Sequence, residues 1–281
     1  MKTRTHKRTC SLCEAMCGIT VTLEDERITS IRGDHDDPFS RGHICPKALA
    51  LQDVWEDPDR LRHPVVKRDG EWVEVDWEEA LDVAAAGIRQ VQAEHGRTAM
   101  GIYLGNPNAH NLGPLLFGSL LIKALRTTNR FSATSVDQLP HQFVQYHLYG
   151  HQLLFPIPDL DRTDLLVVFG ANPMQSNGSL MSTGGFKDRL RDMRQRGGRM
   201  VVVDPRRTRT AELADQYLPI RPRHDVAILL ALLQVIFEED LVSPGRLGPV
   251  LDGMDALADL VAEWTPERVA ERCGWTPTQV R

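Results

Sequence analysis

Four cysteines, Cys10, Cys13, Cys17 and Cys45, occupy the first 45 residues with the spacing C-x2-C-x3-C-x27-C. Three soft thiolates from one loop and a fourth brought back from a distance can converge on one inorganic centre. A [4Fe–4S] cubane needs four such ligands. A structural zinc ion is the alternative, although zinc ribbons and fingers usually draw their ligands from two separated C-x2-C pairs. Pro46 follows the fourth cysteine, as in bacterial ferredoxin motifs, and a cation at Lys47 beside the cluster would stabilise its more negative reduced form. A solvated surface lysine is the other reading of Lys47. The fifth cysteine, Cys273, stands alone and reads as a partly buried, inert thiol.

A second set of groups sits farther along. The apolar run 164–169 (DLLVVF) leads into Gly170-Ala171-Asn172-Pro173, with Ser176 and Asn177 just beyond. The run 200–204 (MVVVD) leads into Asp204-Pro205-Arg206-Arg207-Thr208. At the carboxyl ends of parallel strands, a glycine turn lets backbone N–H groups and a helix N-terminus approach a phosphate. An acid after the next strand takes a ribose or base N–H. No G-x-G-x-x-G is present, so the signal for a nicotinamide or flavin is weak. Taken singly, Gly-Ala-Asn-Pro reads as a tight turn and Asp204 as a turn or cap residue.

The elements that must position these groups follow from pattern. Residues 1–62 are polar and loop-rich, and alternating runs at 18–23 and 27–32 around Glu24-Asp25-Glu26 predict a hairpin. Residues 33–43 predict loop from their Gly, Asp, Ser and Pro. The prolines of DPDRLRHP (57–64) mark a boundary, after which strands and helices alternate. Asp76-Trp77-Glu78-Glu79 has the form of a capping box, and the apolar residues Ala80, Leu81, Ala84, Ala85, Ile88 and Val91 predict a helix over 77–94 that ends at Gly96. A buried strand is expected over 98–104 and helices over 112–125 and 141–149. Then come strand 164–169, a helix within 179–196, strands 200–204 and 216–220, and a helix over 225–238.

Two near-continuously apolar strands joined by a helix predict a parallel sheet covered on both faces. The expected class is therefore α/β. A small β-rich iron–sulfur domain (1–62) precedes a first α/β segment (63–135) and a parallel-sheet, Rossmann-like nucleotide-binding domain (136–281). The last stretch, 264–281, reads as polar and helix-like.

Composition excludes other classes. Lys+Arg number 33 against 38 Asp+Glu, a formal net charge of −5, so the overall field repels phosphate backbones and nucleic acid is not an expected partner. A membrane-spanning helix needs about 18–20 consecutive apolar residues; the most apolar run, 228–237, is shorter and carries Gln234. The opening MKTRTHKRTC has a positive flank but no apolar segment after it, which predicts a cytoplasmic protein. No G-x-S-x-G elbow occurs, which disfavours a hydrolase.

The segment from Cys10 to Lys47, with its ending Gly42-His43-Ile44-Cys45-Pro46-Lys47, resembles the N-terminal iron–sulfur domain of the molybdopterin oxidoreductase family. That family includes formate dehydrogenases, nitrate reductases, dimethyl sulfoxide reductase and acetylene hydratase. GANP and VVVDPRRT resemble its guanosine-binding domain for molybdopterin guanine dinucleotide, and the resemblance extends to TPERVAERCGW (265–275). It implies that Lys47 lies on the electron path between cluster and pterin. Gly170, Asn172, Pro173 and Ser176 would touch the pterin nucleotide's phosphates, and Asp204, Arg206 and Thr208 its guanosine end. Asp225 would open the next helix as in the family, and a plain cap accounts for it equally well.

In the family, a side chain before this domain ligates molybdenum or tungsten: Cys or selenocysteine in formate dehydrogenases, Ser in dimethyl sulfoxide reductase, Asp in respiratory membrane nitrate reductase. Matching Val136 and Pro140 to that pattern implies Asp137 as the ligand, with Ser135 as the alternative and a loop-capping role for Asp137 still open. A carboxylate oxygen suits a high-valent oxo-metal. Gln138 stands where formate dehydrogenases have a catalytic histidine, which argues against formate chemistry. His110 and His141 are further candidates for the substrate funnel.

The implied function is that of a bis-pterin molybdenum (or tungsten) oxidoreductase, exchanging two electrons or an oxo group with a small substrate. A [4Fe–4S] cluster would relay electrons to a partner protein or subunit. Family enzymes continue well beyond this length, so the expectation is a fragment or one subunit of a split enzyme, with another chain supplying the C-terminal domains. The rival is a non-catalytic iron–sulfur electron-transfer or scaffold subunit, like the large subunit of complex I. GANP and DPRRT argue against it. A zinc-stapled binding module would be colourless.

Overall fold

The computed structural model describes residues 2–281, which form two compact units: 2–158 with Ser179–Gly185, and Asp159–Gly178 with Phe186–Arg281. The second unit begins downstream of the expected boundary at 136. Leu160, fully buried with Val168, Leu190 and Met193, is the first residue to enter its core.

In the first unit, β1 (Thr3–Thr9), β2 (Gly18–Glu24) and β3 (Arg27–Gly33) form an antiparallel sheet in that order. The β2–β3 hairpin is the one expected, and its turn residues Asp25 and Glu26 both take positive φ, as a tight hairpin with right-handed strand twist requires. β1 was not foreseen. Its sequence, TRTHKRT, is polar and largely exposed, the composition of a protected edge strand. Two short helices follow, α1 (Pro46–Leu49) and α2 (Leu51–Glu56), then a hairpin of β4 (Val65–Arg68) and β5 (Glu71–Glu74).

Helix α3 (Trp77–His95) begins where predicted. The Asp76 carboxylate accepts from the Glu79 N–H at 2.8 Å. The return half of the box is not made, because the Glu79 carboxylate pairs with Arg68 instead. The strand expected over 98–104 shrinks to β6 (Ile102–Leu104), which is only half-buried. The carbonyls of Thr98 and Met100 accept from the Asn129 amide and the Thr127 hydroxyl, both at 2.6 Å, so they are withdrawn from any ladder. β6 pairs in parallel with β7 (Arg130–Ser132) across α4 (Leu112–Leu125). Helices α5 (Thr134–Asp137) and α6 (Leu139–Tyr149) follow.

The second unit is built on β8 (Leu165–Phe169), β9 (Arg199–Val203) and β10 (Gln216–Leu218), all parallel, in the order β10-β9-β8. Between them lie α7 (Pro173–Ser176), α8 (Phe186–Gln195) and α9 (Arg209–Glu212). The helix expected within 179–196 starts only at Phe186, since Gly184 and Gly185, the latter at φ +68°, precede it. α8 ends at Gly197 and Gly198, and a Cβ on Gly198 would stand 2.7 Å from Met193 Cγ and 3.1 Å from the Asp164 carbonyl. Only glycine allows that return into β9.

Central β9 is buried on both faces: Met200 and Val202 join α8 and Leu160, while Val203 joins α10 (Asp225–Glu238). At the edge, β8 leaves Leu165 and Val167 exposed, so the expected two-sided cover fails there. After α10 come α11 (Met254–Val261), α12 (Pro266–Cys273) and α13 (Pro277–Val280). The last stretch is amphipathic rather than simply polar, giving Val269, Ala270, Cys273, Trp275 and Val280 to the core. Cys273 is fully buried there, deeper than the partly buried thiol expected. No helix of the described residues is long and apolar enough to cross a membrane.

Asp215 ties β9 to the turn before β10. Its carboxylate accepts from the Met200 N–H at 2.8 Å and pairs with Arg194 at 3.1 Å. Burial raises its pKa, but the Met200 N–H and Arg194 outweigh burial and hold it below the ordinary value. Stability from Asp215 is therefore fully present above its unfolded pKa of about 3.9 and is lost as pH falls through the lower folded value. In urea unfolding measured from pH 5 down to pH 2, Asp215→Asn should show a shallower loss of stability than the parent.

Candidate functional site

The cysteine loop hangs between β1 and β2. The Cys10 N–H donates to the Cys17 carbonyl at 2.8 Å, closing it, and the Met16 N–H donates to the Cys13 carbonyl at 3.2 Å with Met16 at positive φ. Cys45 is the N-cap of α1, with Pro46 at the first helical position, where a missing N–H costs nothing. The segment leading to Cys45 lies hard against the end of β3: a Cβ on Gly33 would fall 1.9 Å from the Gly42 carbonyl oxygen. The hairpin thus returns the fourth cysteine to the first three.

Cys10 and Cys17 are buried among Ala15, Ile19, Ile31 and Ala48, with Cys13 and Ile44 packed against them. Burial pushes the Cys17 thiol up to about 11, and the neighbouring Cys13, Cys10 and Cys45 push the same way. Burial also raises Cys10, with Cys13 and Cys45 adding to it and Lys47 opposing. Among the described residues, no three or more His, Cys, Asp or Glu stand together as they would around a single metal ion. The thiols nevertheless lie close enough to feel one another's charge. A cubane several ångström across is held by ligands set wider than a lone zinc ion, with Zn–S of about 2.3 Å, allows. Four soft donors, two of them buried and displaced upward as thiols, fit such a group, whose binding displaces protons from its ligands.

Asp137 closes α5 and faces a cavity of about 380 Å³. Glu14, from the cysteine loop, lines the same cavity together with Asn106, Asn108, Ser132, Thr134 and Gln138. The Asn106 amide donates to Glu14 Oε1 at 3.2 Å. Ser135 is exposed and outside this lining, as is His141. His110 is also outside it: Nδ1 lies 2.8 Å from the Ser11 carbonyl, and Nε2 is buried without a partner. Lys47 is exposed on α1.

In the second unit, parallel pairing of Phe169 with Val203 puts the turns after β8 and β9 side by side. The Gly170 N–H donates to the Val203 carbonyl at 2.9 Å, with Gly170 exposed at φ +60°. Asn172 precedes α7 and Pro173 is its buried first residue; the Ser176 hydroxyl donates to the Asn172 carbonyl at 3.2 Å. The Asn172 side-chain carbonyl accepts from the buried Thr210 hydroxyl at 2.7 Å, and that hydroxyl accepts from the Met174 N–H. Asp204 is buried and accepts from the Arg206 N–H at 2.7 Å; Thr208 caps α9; Arg206 is exposed. Asp225 is the first residue of α10, behind an N-cap at His224, and makes no capping bond. Two cavities of this unit, one lined by Lys187, Arg191 and Arg194 and one by Leu165, Arg199 and Asp215, lie elsewhere.

Residues 60–247 match the family model described as Molybdopterin oxidoreductase, and residues 3–56 match the Molybdopterin oxidoreductase Fe4S4 domain. The chain belongs to the molybdopterin oxidoreductase family. Membership brings a molybdopterin cofactor and a 4Fe–4S cluster. Among similar proteins, a nitrate reductase of Symbiobacterium thermophilum is 28% identical, with 98% of this chain and 37% of the relative covered. A dimethyl sulfoxide/trimethylamine N-oxide reductase of Cereibacter sphaeroides is 29% identical over 95% of this chain and 36% of its own length. The solved acetylene hydratase of Pelobacter acetylenicus shares the fold, with a TM-score of 0.77 at 24% identity, covering 98% of this chain and 37% of that one. The chain thus spans well under half the length of these relatives.

Sequence reasoning missed Glu14, Asn106 and Thr210. Glu14 directly follows Cys13, and Asn106 lies in a Gly-Asn-Pro-Asn turn run, so both carried a signal. Thr210 carried none, because only tertiary packing sets it under Asn172. Thr210→Val should strand the Asn172 carbonyl and the Met174 N–H, costing roughly 1–3 kcal/mol in denaturant unfolding.

Proposed function

We propose that this chain is the cluster- and pterin-carrying portion of a bis-molybdopterin guanine dinucleotide oxidoreductase of molybdenum or tungsten, acting by two-electron or oxo transfer on a small substrate. The observation that carries it is the gathering of four thiols, Cys10 and Cys17 buried and Cys13 and Cys45 half-buried, in a unit where Asp137 also faces a cavity. When bound, the metal and its pterins supply the bond-making and two-electron chemistry.

Cys10, Cys13, Cys17 and Cys45 hold the cluster, and Lys47 places positive charge near it. Asp137 offers a carboxylate oxygen to the metal; its place in the cavity lining favours it over Ser135. The turn after β8 receives the nucleotide's phosphates through Gly170, Asn172, Pro173 and Ser176. Thr210 occupies the Asn172 side-chain carbonyl, leaving the amide N–H groups as donors. Asp204, Arg206 and Thr208 meet the guanosine end, with Asp225 at the start of α10. The parallel order β10-β9-β8 supports a Rossmann-like half domain. Electrons leave to a partner protein or subunit. By its name the Symbiobacterium relative reduces nitrate, and the Cereibacter relative dimethyl sulfoxide or trimethylamine N-oxide.

Anaerobic purification with metal and pterin analysis tests this reading. The expected result is about four irons per chain, as one cubane holds, with molybdenum or tungsten and pterin. Asp137→Ala should lower molybdenum or tungsten while iron and pterin persist, and Cys17→Ala should lower iron. Iron without molybdenum, tungsten or pterin would overturn the enzyme reading in favour of an electron-relay subunit.

A further inference from the structure

We infer that His110 is a positioning residue that tunes the cluster's reduction potential through one peptide of the cysteine loop. By donating from Nδ1 to the Ser11 carbonyl, it aims the Leu12 N–H at the Cys10 sulfur. The inference rests on the functional reading above only in its assignment of the four cysteines to a [4Fe–4S] cluster. Nδ1 stands 2.8 Å from the Ser11 oxygen, 99 residues away in sequence. A carbonyl oxygen can only accept, so the contact places the proton on Nδ1. His110 is half-buried and ends a turn that is itself held: the Asn108 amide donates to the Gly105 carbonyl at 2.9 Å, and the Asn111 amide to the Pro107 carbonyl at 2.8 Å. The same turn reaches the cysteine loop a second time, through the Asn106 amide and Glu14. The Cys10 N–H, bonded to the Cys17 carbonyl, closes the loop at its base.

The carbonyl that His110 engages and the N–H that follows it belong to one planar trans peptide, so fixing one end aims the other. That N–H, from Leu12, favours the thiolate of Cys10 and works against burial, the larger effect there. Hydrogen bonds in a chain polarise one another, so a donor on the Ser11 oxygen strengthens what the Leu12 N–H does at the sulfur. Hydrogen bonds to the ligand sulfurs are among the factors that set a cluster's potential, and by placing positive partial charge beside the sulfur they favour the reduced, more negative form. His110 therefore serves the cluster rather than the substrate funnel.

The test is a redox titration of the anaerobically purified, iron-loaded full-length chain, with the reduced cluster followed by electron paramagnetic resonance. His110→Ala is expected to lower the ratio of reduced to oxidised cluster at a fixed potential about threefold while iron content holds. That is a downward shift of roughly 28 mV for a one-electron couple, at 59 mV per tenfold. His110→Asn, whose Nδ2 takes the place of Nδ1, is expected to keep the parent potential. His110→Gln, whose amide sits one carbon farther out, is expected to shift as alanine does. An iron-replete His110→Ala at the parent potential overturns the inference, and so does a His110→Asn that shifts as far as alanine. If His110→Ala fails to hold the cluster, the other two variants decide: a cluster lost from His110→Asn, or one held at the parent potential in His110→Gln, overturns the inference. Iron without molybdenum, tungsten or pterin in the parent removes the enzyme reading and leaves this test intact, since it reads the cluster alone.

Discussion

Everything in the first unit turns on bringing four thiols together beside one small apolar cluster that buries two of them. For Cys17 and Cys10 the ionised form is disfavoured first by burial and then by the neighbouring cysteines, which displaces both thiols upward. A cationic centre between them would offset that cost. The surrounding architecture serves that convergence. β1 and β2 hold the ends of the loop together, Gly33 lets the chain return against Gly42, and Pro46 starts the helix whose N-cap is Cys45.

The second unit solves a different problem by pairing parallel strands in register. Because Phe169 and Val203 face each other, two turns far apart in sequence emerge at one edge. Burial of β9 on both faces stiffens that edge, with Met193 and Ile228 packed beneath the sheet from opposite sides. Polar residues then take local duties. Asp204 and Thr208 spend acceptor capacity on their own backbone, so what they offer a nucleotide is position and remaining lone pairs rather than free side chains.

Apolar composition proved an unreliable guide to burial. α4 is rich in leucine, yet Leu112, Leu115, Leu116, Phe117, Leu120 and Leu121 are all exposed, and only Leu125 is buried. The helix itself was legible in the sequence, despite Gly113, Pro114 and Gly118; its surroundings were not. The strand expected over 98–104 failed for a related reason. Its apolar side chains suggested a ladder, but Asn129 and Thr127, about thirty residues on, took the carbonyls such a ladder would use.

By itself the sequence determined the donor chemistry, the hairpin behind it, the helix that begins at Trp77 and the alternation of strands and helices, because each depends on neighbours within a few turns of chain. It also carried the family, since C-x2-C-x3-C-x27-C and the paired strand-end turns are local patterns. Only the tertiary structure decided that Glu14 shares a cavity with Asp137, that Ser135 does not, and that Thr210 sets Asn172. Those are contacts between segments distant in sequence. No local propensity encodes them, because their energy exists only once the packed units have brought the segments together.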